Sequence, residues 1–293
     1  SIAFFYEDDM SLVKIAGGAV YDPKNDIYGD IQDIWIQDGR VIDAPTDPDT
    51  KPDREIDARS MVVMPGGVDM HCHIAGPKVN TARKLMPDNK RTAPPVMRTA
   101  FTRSGTTGAV PSTFATGYLY AGLGYTTAFD AAVPPLTARH AHEELQDTPI
   151  LDKGFYVMMG NNHFLMKKIA AEEHDLGKAY VAWLLGAAKG YAAKIVNPGG
   201  VEVWKSTGGN AKGFNDKIDY FNVSPREIVQ NIARYTNELG LPHPVHIHCN
   251  NLGIPGNWET TLETMKALDG LKGHLTHIQF HSYGGHPDDQ GTF

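Results

Sequence analysis

Met61–Gly76 reads MVVMPGGVDMHCHIAG, and this stretch decides the fold class. A continuous apolar run is the pattern of a strand buried on both faces, as in a parallel sheet, rather than of a half-exposed antiparallel strand. His71 and His73 flank one residue at the end of that run. Strand alternation therefore sends both imidazoles to one side and Cys72 to the other. Two imidazoles on one side suit a metal ion, although an isolated pair of this kind is also compatible with ordinary packing near a sheet end.

Downstream, strand-like runs alternate with helical stretches. YTTAFDAAV precedes the helix around HAHEEL, and GFYVMMGN precedes helices near HFLMKKIAAEEHD and KAYVAWLLGAA. YAAKIVNPGG is followed by SPREIVQNIARYTNELG, where Ser224 is placed to cap a helix with Pro225 and Glu227 in its first turn. HPVHIHCNN, WETTLETMKAL and HLTHIQFHSYGG give a further strand, helix and strand. This βα succession predicts a barrel or a doubly wound sheet. Upstream, LVKIAGGAVYD and DIWIQDGRVIDA read as strands of a small antiparallel unit, and residues 43 to 57, with three prolines and many charges, read as an exposed connector. The interval from Asn80 to Gly124 lacks periodicity and reads as an elaborated loop over the sheet. The first residues, before Met10, read as an extension.

The histidine alternation recurs. His246 and His248 alternate in HPVHIHCNN, and His277 and His281 lie in the last predicted strand. Each pair falls at the C-terminal end of its run, where barrel enzymes gather their reacting groups. Packing alone explains this set poorly, because core strands avoid imidazoles that lack partners. Neutral imidazole suits zinc, cobalt, nickel or iron. Lys194 ends the run AAKIV, where a buried amine must lose its charge, be modified, or snorkel to the barrel mouth. Cys72 and Cys249 point away from the histidines and are not nucleophile candidates. GTTG near Gly105 and the glycine pair after Pro198 read as turns rather than phosphate cradles.

Composition excludes several classes. The formal net charge is −7, with 27 Lys and Arg against 34 Asp and Glu, which argues against a duplex-binding surface. The longest apolar stretch, residues 179 to 196, is interrupted by Lys189 and glycines and is no membrane span. Two cysteines are too few for a disulfide framework, and the acidic SIAFFYEDDM is unlike a secretory signal, so the expected location is the cytoplasm.

MPGGVDMHCHIAGPKVNTAR, TRSGTTGAVPSTFATGYLYAGLGYTTAFDAAVPP, AAKGYAAKIVNPGGVEVW and LPHPVHIHCNNLGIPGNWETTLETMKAL together resemble the amidohydrolase superfamily. Within it they resemble the A subunits of formylmethanofuran dehydrogenase and of the bacterial formyltransferase/hydrolase complex, over nearly the whole chain from about Leu12. The resemblance implies an α/β fold: a small N-terminal β-sandwich subdomain (residues 1–60) and an amidohydrolase-type (β/α)8 barrel (61–293), incomplete, with about six strands. It implies two divalent metal ions, zinc by preference. His71 and His73 would hold the first, a carboxylated Lys194 would bridge, and His248 and His281 would hold the second, with His246 and His277 as alternates. It implies a hydrolase acting on the linear N-formyl amide of a methanofuran-type coenzyme, partnered by the other subunits of a one-carbon complex of methanogenesis or methylotrophy. The family pattern places the proton-shuttling aspartate on an eighth strand beyond Phe293, and Asp288 and Asp289 do not match that position. Two other readings stand beside it: a cyclic-amide hydrolase of the hydantoinase or dihydroorotase type, and an inactive scaffold subunit.

Overall fold

The computed structural model describes residues 11–85, 113–207 and 213–285. The chain divides into two compact units, Ser1–Gly67 and Val68–Phe293. The sequence before Met10, GTTG near Gly105, and Asp288 and Asp289 lie outside the described residues.

In the first unit, β1 (Leu12–Asp22), β2 (Ile27–Gln37) and β3 (Arg40–Ile42) form an antiparallel meander. β4 (Arg54–Asp57) and β5 (Val62–Val63) then add to β1 in parallel. The unit is one mixed sheet, not the purely antiparallel one its alternation predicts. Two expectations change here. The last four residues of the supposed connector are a strand, because Val13–Ala16 offers them a parallel edge. Val62 and Val63 belong to this sheet through Ala19 and Val20, so the apolar run Met61–Met64 does not open the barrel strand. That strand, β6, begins at Gly67 and ends at Cys72.

The second unit carries a six-stranded sheet in the order β6, β7 (Tyr125–Val133), β8 (Asp152–Met158), β9 (Ala192–Val196), β10 (Val245–His248), β11 (Gly273–Leu275). The pairings from β7 to β11 are parallel. Spatial order follows chain order without reversal, which excludes the doubly wound alternative, whose order reverses at a switch point. It is the order of an incomplete (β/α)8 barrel.

Helices fill the intervals. α1 (Gly76–Leu85) and α2 (Phe114–Gly122) lie between β6 and β7, the end of α1 from Asn80 and the whole of α2 falling in the interval expected to be loop, and residues 86–112 lie outside the described ones. α3 (Ala138–Gln146), α4 (His163–Ala170) and α5 (His174–Ala188) follow. α5 buries Gly177, Val181, Leu184, Leu185 and Ala188, one stripe at helical spacing, while Trp183 on the opposite face is exposed. α6 (Gly200–Thr207), α7 (Pro225–Glu238) and α8 (Trp258–Leu268) complete the set. α7 starts with a reciprocal capping box between Ser224 and Glu227 and has Pro225 in its first turn, as its sequence predicts.

Gly199, in the turn from β9 into α6, has φ +70°, and a Cβ there would lie 2.2 Å from Ile218 Cδ1. The Pro198–Gly200 turn is thus a packed, left-handed corner. Among the described residues, no helix is long and apolar enough to cross a membrane.

Candidate metal centre

Parallel strands in sequential order deliver their C-terminal ends to one side, so register alone sets the depth of each candidate ligand. Lys194 of β9 pairs with His246 of β10, and His246 pairs with His274 of β11. These three form one row, and His248, beside Val196, stands one step higher. His71 and His73 straddle the end of β6.

A cavity of about 310 Å³ opens at this end, lined by His71, His73, Lys78, Lys194, His248 and His277 with Ala132, Val196, Leu252 and Phe280. Four of the five ligands expected from the resemblance line it. The fifth, His281, is fully buried behind the lining, with its ring 4.9 Å from that of His248 and 5.0 Å from that of His277. Nitrogens of His248, His277 and His281 lie within 4.8 Å of one another. On the other side the His71 ring is 5.6 Å from His73 and 5.0 Å from His277.

His277 and His281 reach this place differently from the strand alternation expected of them. β11 stops at Leu275, His277 takes a left-handed φ of +33°, and Ile278–His281 winds into a 3-10 turn. Four-residue spacing then stacks the two rings on one side. Asn257, just before α8, fastens the turn by donating from its side-chain amide to the carbonyls of Asn251 and Phe280, each at 2.8 Å. Thr261 Oγ1 donates to the His281 carbonyl at 2.6 Å.

Burial governs the charge state of the set. It pushes His71 and His248 down to about 3 and His281 to about 4, with neighbouring cationic or imidazole groups adding to the effect. The rings are therefore neutral at physiological pH and carry the lone pairs that a divalent cation requires. Lys194 is 1% exposed. Burial, and then the charge of Lys78, push its amine down to about 7. Lys194 Nζ, His277 Nδ1 and both ring nitrogens of His281 have no hydrogen-bond partner. Four buried polar atoms left without partners around one cavity would cost several kcal/mol if the site existed only for packing. Their chemistry, imidazole nitrogens around an amine, fits a group bound among them.

Two residues that the sequence reading missed support the centre. Asp130 in β7 is 1% exposed. Its Oδ2 accepts from the backbone N–H groups of Ile74 and Ala75 at 2.8 and 2.9 Å, and its Oδ1 accepts from Ala132 at 3.2 Å. It fixes the turn that follows His73. A lone aspartate inside FDAAV was the available signal. Lys78, on α1, brings a second amine to the cavity, and burial lowers its pKa. Among the described residues, no carboxylate lines the cavity.

The amidohydrolase family profile matches residues 54–291. The chain is 46% identical over 282 residues to the protein FwdA of Methanocaldococcus jannaschii, covering 92% of this chain and 48% of that protein. It is 37% identical over 276 residues to the A-type subunit of the formyltransferase/hydrolase complex Fhc of Methylorubrum extorquens, covering 93% and 48% respectively. The crystal structure of the Methylorubrum extorquens FhcABCD complex with methylofuran superposes with a TM-score of 0.81 at 37% identity, covering 93% of this chain and 49% of that one. The chain thus spans about half the length of the curated relatives it matches.

Proposed function

The chain belongs to the amidohydrolase family, and from that premise we propose that it carries the metal centre of a hydrolase acting on the N-formyl amide of a methanofuran-type coenzyme, interconverting formylmethanofuran and water with formate and the free amine. The observation that carries this reading is Lys194: a lysine 1% exposed, its Nζ without a partner, in a cavity ringed by neutral imidazoles. Likeness to a complex solved with methylofuran supports the substrate class and a place among other subunits.

Two divalent cations, zinc by preference, would be held by His71 and His73 on one side and by His248 and His281 on the other, with Lys194 between them. When bound they would supply Lewis-acid activation of the formyl carbonyl and of water. The chain's own groups prepare for this. Burial lowers the pKa of Lys194 to about 7, which makes its lone pair far more available at neutral pH than that of an ordinary lysine. That lone pair can add to carbon dioxide, forming an N–C bond and releasing one proton, and the resulting carbamate supplies two oxygens where the bare amine offers one nitrogen. Lys78 places a positive charge on the cavity wall that favours an anion there, either the carbamate or formate. Asp130 holds the turn that follows His73 by accepting from the Ile74 and Ala75 N–H groups.

The test is metal analysis together with formyl-amide turnover. The protein should hold about two zinc-like ions per chain. Lys194→Ala should release them, and formate should appear from formylmethanofuran but not from a cyclic amide. A protein that binds no metal yet still joins its partner subunits would refute the proposal in favour of a scaffold role.

A further inference from the structure

Behind His71 stands a second group of imidazoles that the proposed ligand set leaves unused. His243 precedes β10, His246 lies within β10 and His274 within β11, and their ring nitrogens lie within 4.8 Å of one another. The group is poorly shaped for an ion of its own. The rings of His246 and His274 stack at 4.4 Å and 15°, and imidazole lone pairs lie in the ring plane, so these two point side by side rather than at a common centre. What the group has instead is continuity of hydrogen bonding. His243 Nε2 is 3.2 Å from His246 Nδ1, and His246 Nε2 is 2.8 Å from His71 Nδ1.

A neutral imidazole carries a single N–H, and His246, bonded through both ring nitrogens to other imidazoles, fits that form by donating through one nitrogen and accepting through the other. A row of three such rings has only two self-consistent states, because the proton position on His246 dictates the other two. In one state every ring is protonated on Nδ1, and His71 Nε2 is bare. In the other every ring is protonated on Nε2, and His71 presents a donor to a cavity that already contains the amines of Lys78 and Lys194. The first state is the one compatible with a cation or an acidic proton at the cavity.

We propose that His246 is a positioning residue for His71: the row runs His71 Nδ1–H to His246 Nε2 and His246 Nδ1–H to His243 Nε2, and this holds His71 Nε2 as a bare acceptor facing the cavity. The choice between the two states rests on the metal reading given above, whereas the hydrogen-bonded row itself is a matter of geometry. His243 forms the half-buried end of the row. His246 is fully buried between stacked rings, including Tyr156 at 4.4 Å and 18°, so the relay is held rigidly.

The experiment is 15N spectroscopy of histidine-labelled full chain in its native assembly, first metal-free and then with zinc, with signals assigned by single-histidine substitutions. His71, His246 and His243 should each show a protonated Nδ1 and an unprotonated Nε2 before any metal is added. A protonated Nε2 on His71 overturns the proposal, whatever the zinc titration shows. His246→Leu should leave His71 as a mixture of tautomers and weaken zinc binding, read by chelator competition, by about 10- to 100-fold. His246→Gln, which can still accept from His71, should restore the single tautomer and most of the affinity. If His246→Leu fails to fold, His243→Leu carries the test, since freeing the far end should also mix the His71 tautomers. Zinc that strips the N–H protons from His243 and His246 would make the group a metal site and overturn the relay. The correct tautomers in a protein that binds no zinc would uphold the relay and refute the metal reading alone.

Discussion

Replacing Lys194 with methionine should make the metal-free protein more stable while abolishing its function. The lysine is 1% exposed and its Nζ has no partner, and burial brings its pKa from the usual 10.5 to about 7. Between those two values the unfolded chain binds the proton and the folded chain does not, so stability rises with pH through this window. Below pH 7 the penalty is complete. At about 1.4 kcal/mol per pH unit it amounts to roughly 5 kcal/mol, and at pH 7 itself to roughly 4 kcal/mol. Methionine has similar length and no charge, and imperfect repacking should return no more than about 1.5 kcal/mol of the gain. Lys194→Met should therefore exceed the parent by about 2–4 kcal/mol at pH 7. The gap should be widest below pH 7 and close towards pH 10.5. Denaturant unfolding followed by tryptophan fluorescence, in chelator and carbon-dioxide-depleted buffer at several pH values, measures the difference. A variant no more stable than the parent at acid pH, or a gap indifferent to pH, would refute the reasoning. Retained metal in the same variant would refute Lys194 as a ligand.

Three further outcomes are expected. Asp130→Ala strands the three backbone N–H groups that its carboxylate accepts, and should cost about 3–5 kcal/mol in chemical denaturation, with zinc affinity falling as the His73 turn loosens. Ser224→Ala removes half of the capping box of α7 and should cost about 1 kcal/mol with metal content unchanged, which makes it a control for indirect destabilisation. His281→Ala should lower the zinc content by about one equivalent per chain, whereas His277→Ala should leave it nearly intact. The reverse result by elemental analysis would exchange their roles.

What the sequence disclosed, and what it concealed, follows from the range of the interactions involved. Alternation with a period of two is local, so it predicts His71 with His73 and His246 with His248 on shared faces, and His71, His73 and His248 do line one cavity at the strand ends, whereas His246 does not. Where a segment's partner decides its structure, the local pattern misled. Val62 and Val63 look like the start of a barrel strand but pair with β1. THIQFH has the β-branched and aromatic content of a strand, yet it turns because Asn257 and Thr261 capture its carbonyls. Asp130 was passed over because counting apolar positions says nothing about an N–H group more than fifty residues away. His246 pairs with His71 across 175 residues, and it was weighed only as a substitute ligand. Candidate ligands, which must sit at strand ends, are thus marked by short-range periodicity. The residues that orient those ligands are chosen by whichever strand the fold brings alongside, and in this chain that neighbour of His71 is β10, the same strand that carries His248.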